Sequence, residues 1–584
     1  MSEHDLQSWW SSDKPEAFAQ VASASKRARA EVHLKTLTLE DRILFEKAKD
    51  AELNCWIQTS ALRPILRKHL NPNQILKSRW VLTWKPIDDP EPGQSNRKAK
   101  ARLVVLGFQD PQLPEVARDS PTLTREGRHT ILQSIASHKW VLSSFDIKTA
   151  FLRGKADSKN PLAMEPPIEL RKKLNLTTDQ VCSLVGNAYG RVDAPLLFYQ
   201  ELTRQLKKLG FEIHPLEPCI FQLVSYNDNQ RVLHGVIGVH VDDGICGGDE
   251  YFHHQLECRK SFVFTGIQLE QHPDFSVSCS QAEYVHSIPA IDIGKVRRNQ
   301  PDSPILESEL SKLRGLIGSL QYAVTNTRPD MAAKLGDVQT QVGRATVATL
   351  MLANKVLREA QLESAVKICF RHIPVTEVTH VSFGDASFAS PKQLDSFQGT
   401  LICATDFHLN RNEQAPISPL TWSSKKIARV VRSTLSAEAF AMSRSVDKLG
   451  WLRLLWGSLN LQDFNWREPP KGFQQLPKAT IVTDCKSLFD LVSRTAMPSC
   501  EEYRTTLEVL LIKERCQEHC HFRWIPTNLQ LADSLTKAMD SSLLREALAS
   551  GVFQLFDEDS SLESNAHRKA ALSWLRAKGV SHQQ

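Results

Sequence analysis

The run Val236-Ile237-Gly238-Val239-His240-Val241-Asp242-Asp243-Gly244-Ile245-Cys246 constrains the fold more than any other part of the chain. Apolar residues on either side of an Asp-Asp-Gly step read as two buried strands joined by a tight turn, because Asp-Gly is the commonest hairpin-turn signal. Trp140 to Ile147 reads as another buried strand that ends on an acid, Asp146. Strand-end acids from separate segments can converge on a pair of divalent cations roughly 4 Å apart, an arrangement that serves phosphoryl transfer. Successive strand residues face opposite ways, so Asp242 and Asp243 can both approach such cations only at a tight turn. A purely structural hairpin is the alternative reading of the same residues.

The rest of the chain fits a multidomain protein of mixed α/β and α+β class. Its 584 residues allow about four domains at roughly 150 residues each. Residues 1–37 are polar and read as a disordered lead-in. Thr38 with Asp41 resembles a capping box, and Leu44, Ala48, Ala51 and Cys55 continue it as a helix to about residue 60. Residues 79–85 and 100–108 read as a hairpin. Helical spacing recurs through Leu310, Leu313, Ile317 and Leu320, and again from Leu350 to Ala360. This helical stretch looks like an independent connector to a second block, 376–540, followed by a polar tail, 541–584. The net charge is +6, and residues 61–110 carry ten Lys/Arg against four Asp/Glu, which equals the whole excess. A basic segment with Trp80 and Trp84 among its cations suits a phosphate backbone, although a solvated face is the plainer reading.

Twelve scattered cysteines fit no secreted disulfide framework and point to a reducing compartment. The N-terminus, Met1-Ser2-Glu3-His4-Asp5, has no apolar core of a signal peptide, and no run approaches the ~18 uncharged apolar residues of a membrane helix. Cys516, His519, Cys520 and His521 match no common zinc-finger spacing.

Several motifs in order resemble the reverse transcriptase of copia-type LTR retrotransposons. They are Lys100-Ala101-Arg102-Leu103-Val104, Phe145 to Gly154, Ala188-Tyr189-Gly190 with Ala194-Pro195, Val241-Asp242-Asp243, and Gly318 to Tyr322 with Thr327-Arg328-Pro329-Asp330. The resemblance covers roughly residues 40–540. It implies a right-hand polymerase, with fingers and palm over 38–250 and thumb and helical connection over 251–375. Asp146, Asp242 and Asp243 would hold two Mg²⁺ or Mn²⁺, the first two acids as the likelier direct ligands. Lys100 and Arg102 would face the triphosphate of the deoxynucleotide. Phe151 would press on its 2′ position, and Tyr189 and Gly190 would border nucleotide and template.

In the second block Asp385, Glu438, Asp484 and Asp533 stand at strand ends and helix starts. With Trp422-Ser423-Ser424-Lys425-Lys426 and Ala532 to Lys537 they resemble the RNase H domain that follows the copia polymerase. They would form a second two-metal site, where water attacks the RNA strand of an RNA/DNA hybrid. The implied function is that of a nucleotidyltransferase with a fused endonuclease, acting on RNA template, DNA primer and hybrid. Its expected place is intracellular: cytoplasmic, inside virus-like particles, or nuclear. The sequence departs from the family at His240, where Tyr is usual, at Asp193, where Gln is usual, and near Thr505-Thr506-Leu507, where a His is missing. Two rivals stay open: a decayed or domesticated element that binds nucleic acid without polymerising, and a protein in which only the second block acts.

Overall fold

The computed structural model describes residues 31–32, 37–86, 97–113, 117, 119–147, 152, 161–228, 230–256, 263–389 and 395–556, apart from the side chains of Pro86, Asp146, Asn227 and Glu518. Of the lead-in, only Glu31, Val32 and Leu37 fall in that range. Glu31 bridges to Thr83. Helix α1, Leu39–Gln58, starts at Thr38, whose hydroxyl accepts from Asp41 N, and it buries Phe45, Leu53 and Trp56. It packs against the hairpin of β1, Ser78–Pro86, and β2, Arg97–Val105. Along β2 the strand period puts Ala101, Leu103 and Val105 in the core, while Lys98 and Arg102 are exposed and Lys100 is half-buried. The basic residues therefore share the face away from α1.

Next comes α2, Arg125–His138, capped by the Thr124 hydroxyl, which accepts from Gly127 N. Strand β3, Ser143–Asp146, and helix α3, Ala194–Lys208, lead into β4, Phe211–Ile213, β5, Ile220–Asn227, β6, Gln230–His240, and β7, Asp243–Gly248. These strands form one antiparallel sheet in the order β3-β7-β6-β5-β4. Three longer helices come after shorter elements, α4 over Glu307–Asn326, α5 over Ala332–Thr340 and α6 over Val347–Leu362. They are held in part by Arg328, buried, which grips Asp330 through two hydrogen bonds of 2.9 and 2.8 Å and donates to Ala360 O.

The second block is a five-stranded sheet of β8, Thr379–Ser387, β9, Phe397–Thr405, β10, Ser418–Lys426, β11, Ala479–Thr483, and β12, Cys520–Trp524. The order is β10-β9-β8-β11-β12, antiparallel among the first three and parallel from β8 to β11 and β11 to β12. Parallel neighbours need long crossovers. Helix α7, Thr434–Asn460, lies in the first, and α8, Tyr503–His519, in the second. Short helix α9, Asp533–Thr536, lies against β8 and β9. The ordered chain continues past 540: α10, Ser542–Ser550, ends in a left-handed Gly551, and Val552–Phe553 pairs with Ala415–Pro416. The first part of the expected polar tail is thus folded onto the sheet, since Leu544, Leu548 and Phe553 need burial. Residues 557–584 lie outside the described range.

The independent connector expected from the sequence is not what forms. One continuous apolar cluster runs from Leu123 and Ile131 in the first block, through Leu320 and Leu350, to Leu420, Trp422 and Leu535 in the second. Helix α2 is the reason. All its residues from Gly127 to Ser137 are buried, because it lies between β6 and β7 on one side and β10 and α7 on the other. No disulfide forms among the eleven described cysteines.

Candidate active sites

The first site is built by strand register. The closing pair of the β6–β7 hairpin is His240 with Asp243, so the turn is the two residues Val241 and Asp242. Val241 carries φ +61°, a left-handed conformation that a β-branched residue adopts only under strain. The Asp-Gly step read from the sequence as the turn lies instead at the start of β7. Gly244 is needed there by close packing, since a Cβ would come 2.1 Å from Phe145 Cζ. On the neighbouring strand Asp146 is the register partner of Asp243, and Ile147 N donates to Asp242 O at 3.2 Å. The backbone thus gathers all three acid positions at one end of the sheet. Asp146's side chain, like all of Phe151, falls outside the described residues.

Tyr189 links this end of the sheet to the basic hairpin. Its hydroxyl pKa is pushed up to about 12, chiefly by burial, with Arg102 opposing and Glu52 and Asp242 adding to the rise. Arg102 lies 5.2 Å from the Tyr189 ring centre, a cation–π arrangement. Tyr189 O accepts from Val105 N at 2.7 Å, and Gly190 O accepts from Gly107 N at 3.2 Å, so this loop is bonded to the end of β2. Gly190 has φ +92°, and a Cβ there would lie 2.0 Å from Val105 O. The sequence missed Glu52. This half-buried acid on α1 accepts from Trp56 Nε1 and Leu103 N, and burial raises its pKa against those hydrogen bonds and the pull of Arg102 and Lys100.

Both departures in this region have local partners. Asp193 takes two hydrogen bonds from Arg191, at 2.8 and 2.6 Å, in a buried pair. The imidazole of His240 is shifted toward its neutral form by burial, then by Arg128, with a backbone hydrogen bond at Leu123 and Asp242 acting the other way.

The second site lies at the carboxyl ends of β8 and β11. Their parallel register pairs Phe383 with Val482, so Asp385 and Asp484, each two residues further on, are level. Glu438, near the start of α7, completes a group whose ligand oxygens all lie within 4.8 Å of one another. Burial comes first in raising the Asp385 pKa, from its ordinary 3.8 to about 6, and Asp484 adds to it. Glu438 is raised well above the usual carboxylate range by burial and then by Asp385 and Asp484. Its Oε2 is buried without a hydrogen-bond partner. An orphaned carboxylate oxygen facing two other acids is an arrangement that a hard divalent cation satisfies.

Asp533, the fourth acid, stands beside this group rather than in it. It pairs with Lys537, one helical turn on, and Lys537 in turn acts on Asp385 and Glu438. The Thr536 hydroxyl donates to Asp385. Glycine in β9 allows this approach, because a Cβ on Gly399 would lie 2.7 Å from Thr536 Cγ2 and 3.0 Å from Ala532 O.

Comparison with known proteins gives the first block a name. Residues 68–287 match the family model of "Reverse transcriptase (RNA-dependent DNA polymerase)". These residues are a copia-type reverse transcriptase domain. Curated relatives include the "Retrovirus-related Pol polyprotein from transposon RE1" of Arabidopsis thaliana, 26% identical over 468 residues, covering 75% of this chain and 30% of that protein. The corresponding polyprotein from transposon TNT 1-94 of Nicotiana tabacum is 24% identical over 507 residues, covering 80% and 34%. The chain therefore spans about a third of these plant relatives. A solved foamy viral protease-reverse transcriptase in complex with dsDNA is 11% identical, with a TM-score of 0.40, over 77% of this chain and 79% of that one.

Two measurements test the local physics. Gly190→Ala should cost more than about 2 kcal/mol in urea unfolding, since it combines a positive φ with a backbone clash. For Asp385, a raised folded pKa means that the unfolded chain ionises first. Without divalent cations, stability should therefore fall as pH rises from 3.8 through about 6, by an amount on the order of 3 kcal/mol. Mg²⁺ should raise the melting temperature more above that window than below it, and an equal rise at both would contradict cation binding by these acids.

Proposed function

We propose that the chain is an RNA-directed DNA polymerase of a copia-type retrotransposon with a fused RNase H, one block serving each reaction. The observation that carries the reading is the pairing of two acidic centres, the register-matched Asp146, Asp242 and Asp243 in the reverse transcriptase domain and the buried Asp385, Glu438 and Asp484 in the second block. In each, a pair of divalent cations, Mg²⁺ or Mn²⁺, supplies the positive charge that stabilises attacking and leaving oxygens. Asp146 and Asp242, with Asp243 beside them, hold the cations of the polymerase site. Asp385, Glu438 and Asp484 hold those of the RNase H site, with Asp533 beside them, and the orphaned Glu438 Oε2 supports a ligand role.

The other residues bind and orient. Lys100 and Arg102, on the outward face of β2, meet the triphosphate of an incoming deoxynucleotide as fixed positive charges. Tyr189 and Gly190, held by backbone bonding to the end of β2, border nucleotide and template. Phe151, five residues beyond Asp146, excludes the ribose 2′ hydroxyl. The basic hairpin draws in RNA template and DNA primer, and the second block receives the RNA/DNA hybrid they become. Primer extension on a homopolymer RNA template with Mg²⁺ or Mn²⁺ tests the whole reading. A folded, RNA-binding sample that incorporates nothing would favour the domesticated alternative.

Removing single carboxylates separates the two activities. Asp242→Asn should lower DNA synthesis by a few powers of ten at about 1.4 kcal/mol per decade while hybrid cleavage persists, and Glu438→Gln should do the reverse. Losses of tenfold or less would show that the acids are misassigned. Neutralising Lys98, Lys100 and Arg102 together should reduce the log-log salt dependence of primer-template binding by about 0.9 for each phosphate that is no longer neutralised. An unchanged slope would take the hairpin out of the binding surface.

A further inference from the structure

Three segments distant in sequence meet at the first turn of α2. Arg125 Nη2 donates to Thr421 Oγ1 at 2.6 Å and to Trp422 O at 2.9 Å, both in β10. Its Nη1 donates to Thr325 O in α4 at 3.2 Å, and its guanidinium lies 4.7 Å from the Trp422 ring centre. Glu126 accepts from Thr421 Oγ1 at 2.8 Å and pairs with Lys448 Nζ of α7 at 2.9 Å. Trp422 Nε1 donates to Val324 O at 2.8 Å, and Arg128 Nη2 to Asn326 Oδ1 at 2.8 Å. Burial opposes the charge on Glu126, yet Arg125 and Lys448 hold its carboxyl far below the ordinary range. The junction is therefore ionic, half-buried and three-sided.

Its two helices lead to the two sites. The opposite face of α2 supports the hairpin that carries Asp242 and Asp243: a Cβ on Gly238 would lie 2.4 Å from Ile131 Cδ1, and one on Gly247 2.7 Å from Ile135 Cγ1. Helix α7 carries Glu438 near its start and Lys448 midway. Its far end is held by the first block, through Ser134 and His138 on Asn460 and through His214 on Ser458 at 2.9 Å. A helix held midway and at its far end cannot slide without breaking one grip. Screened surface pairs contribute little, whereas removing one partner of a shielded pair that also makes hydrogen bonds leaves the other charge uncompensated, which is costly.

We propose that Arg125, Glu126 and Lys448 are positioning residues that fix the distance between the point where DNA grows and the point where RNA is cut. The proposal rests on the two-activity reading above and adds a structural cause for coordination between the blocks. Neither activity by itself needs the junction. What the junction sets is where, along one hybrid, the second site falls relative to the first.

The test uses the full chain and an RNA/DNA hybrid with a recessed DNA 3′ end, with RNA cuts mapped from that end. The wild type should cut in a narrow cluster at a fixed offset. Lys448→Gln, at a side chain 41% exposed and so tolerant of change, and the double variant Glu126→Gln with Lys448→Gln should spread the cuts over several positions. Lys448→Arg should keep the narrow cluster, and primer extension should be unchanged in all three. A second measurement is the distance distribution between labels placed as non-canonical residues at Tyr226 and Met497, both exposed. It should broaden in the Gln variants. A cut pattern and a distance distribution both matching wild type would overturn the proposal. Should the wild type cut no hybrid at all, the functional reading fails and the distances alone decide: broadening upholds the strut, and no broadening removes it.

Discussion

Carboxylates crowded in a desolvated space repel one another, and the second block is arranged around that repulsion. Asp385, Glu438 and Asp484 cannot be brought within 4.8 Å by hydrophobic collapse alone, because each approach raises the cost of the charged form. The fold imposes the approach through rigid pieces. Two parallel strands in fixed register level the two aspartates, and a 27-residue helix packed on β8 brings the glutamate over them. Lys537 and the Thr536 hydroxyl then relieve part of the charge from the side of α9. This is a site stabilised by its surroundings and destabilised by its own chemistry, as is usual where function sets the residue types.

Such a centre needs a stiff frame, and the frame extends across the molecule. Helix α2 belongs by sequence to the reverse transcriptase domain, yet its polar residues satisfy backbone beyond it: His129 Nδ1 lies 2.9 Å from Leu420 O of the second block, and Gln133 Nε2 donates to Arg371 O in the segment just ahead of that block. His129 is fully buried, and burial followed by Arg128 and Arg125 drives it toward the neutral form. A neutral imidazole donates from one ring nitrogen and accepts at the other, here toward Leu420 O and Arg128 Nη2, and adds no net charge, which suits a seam between blocks. The two blocks therefore share a core and a polar seam.

What the sequence disclosed follows from how local each signal is. The Thr38 cap, the β1–β2 hairpin and the strand-end acids of β8 and β11 depend on neighbours within a few residues, and they could be read directly. The role of α2 could not. Arg125, Glu126, Arg128 and His129 look like a solvated helix face, because nothing within the helix shows that Thr421, Trp422 and Lys448, some 300 residues away, will desolvate them. Glu52 was hidden for the same reason. Its partners, Leu103 and Arg102, lie on a strand about 50 residues downstream.

The turn at Val241 shows how a strong local signal can be displaced by packing. Asp243-Gly244 would make a good hairpin turn, yet the chain turns two residues earlier and accepts a positive φ at valine. A strained residue of this kind costs on the order of 1–3 kcal/mol and persists only when its surroundings over-determine it. Here they do. Gly238, Gly244 and Gly247 bring β6 and β7 against Ile131, Phe145 and Ile135 so closely that a Cβ at any of the three would collide. A slip of the hairpin by one residue would move a side chain into one of those gaps and flip the faces of both strands. The glycines thus fix the register, the register puts Asp243 opposite Asp146, and the strain at Val241 is what that alignment costs.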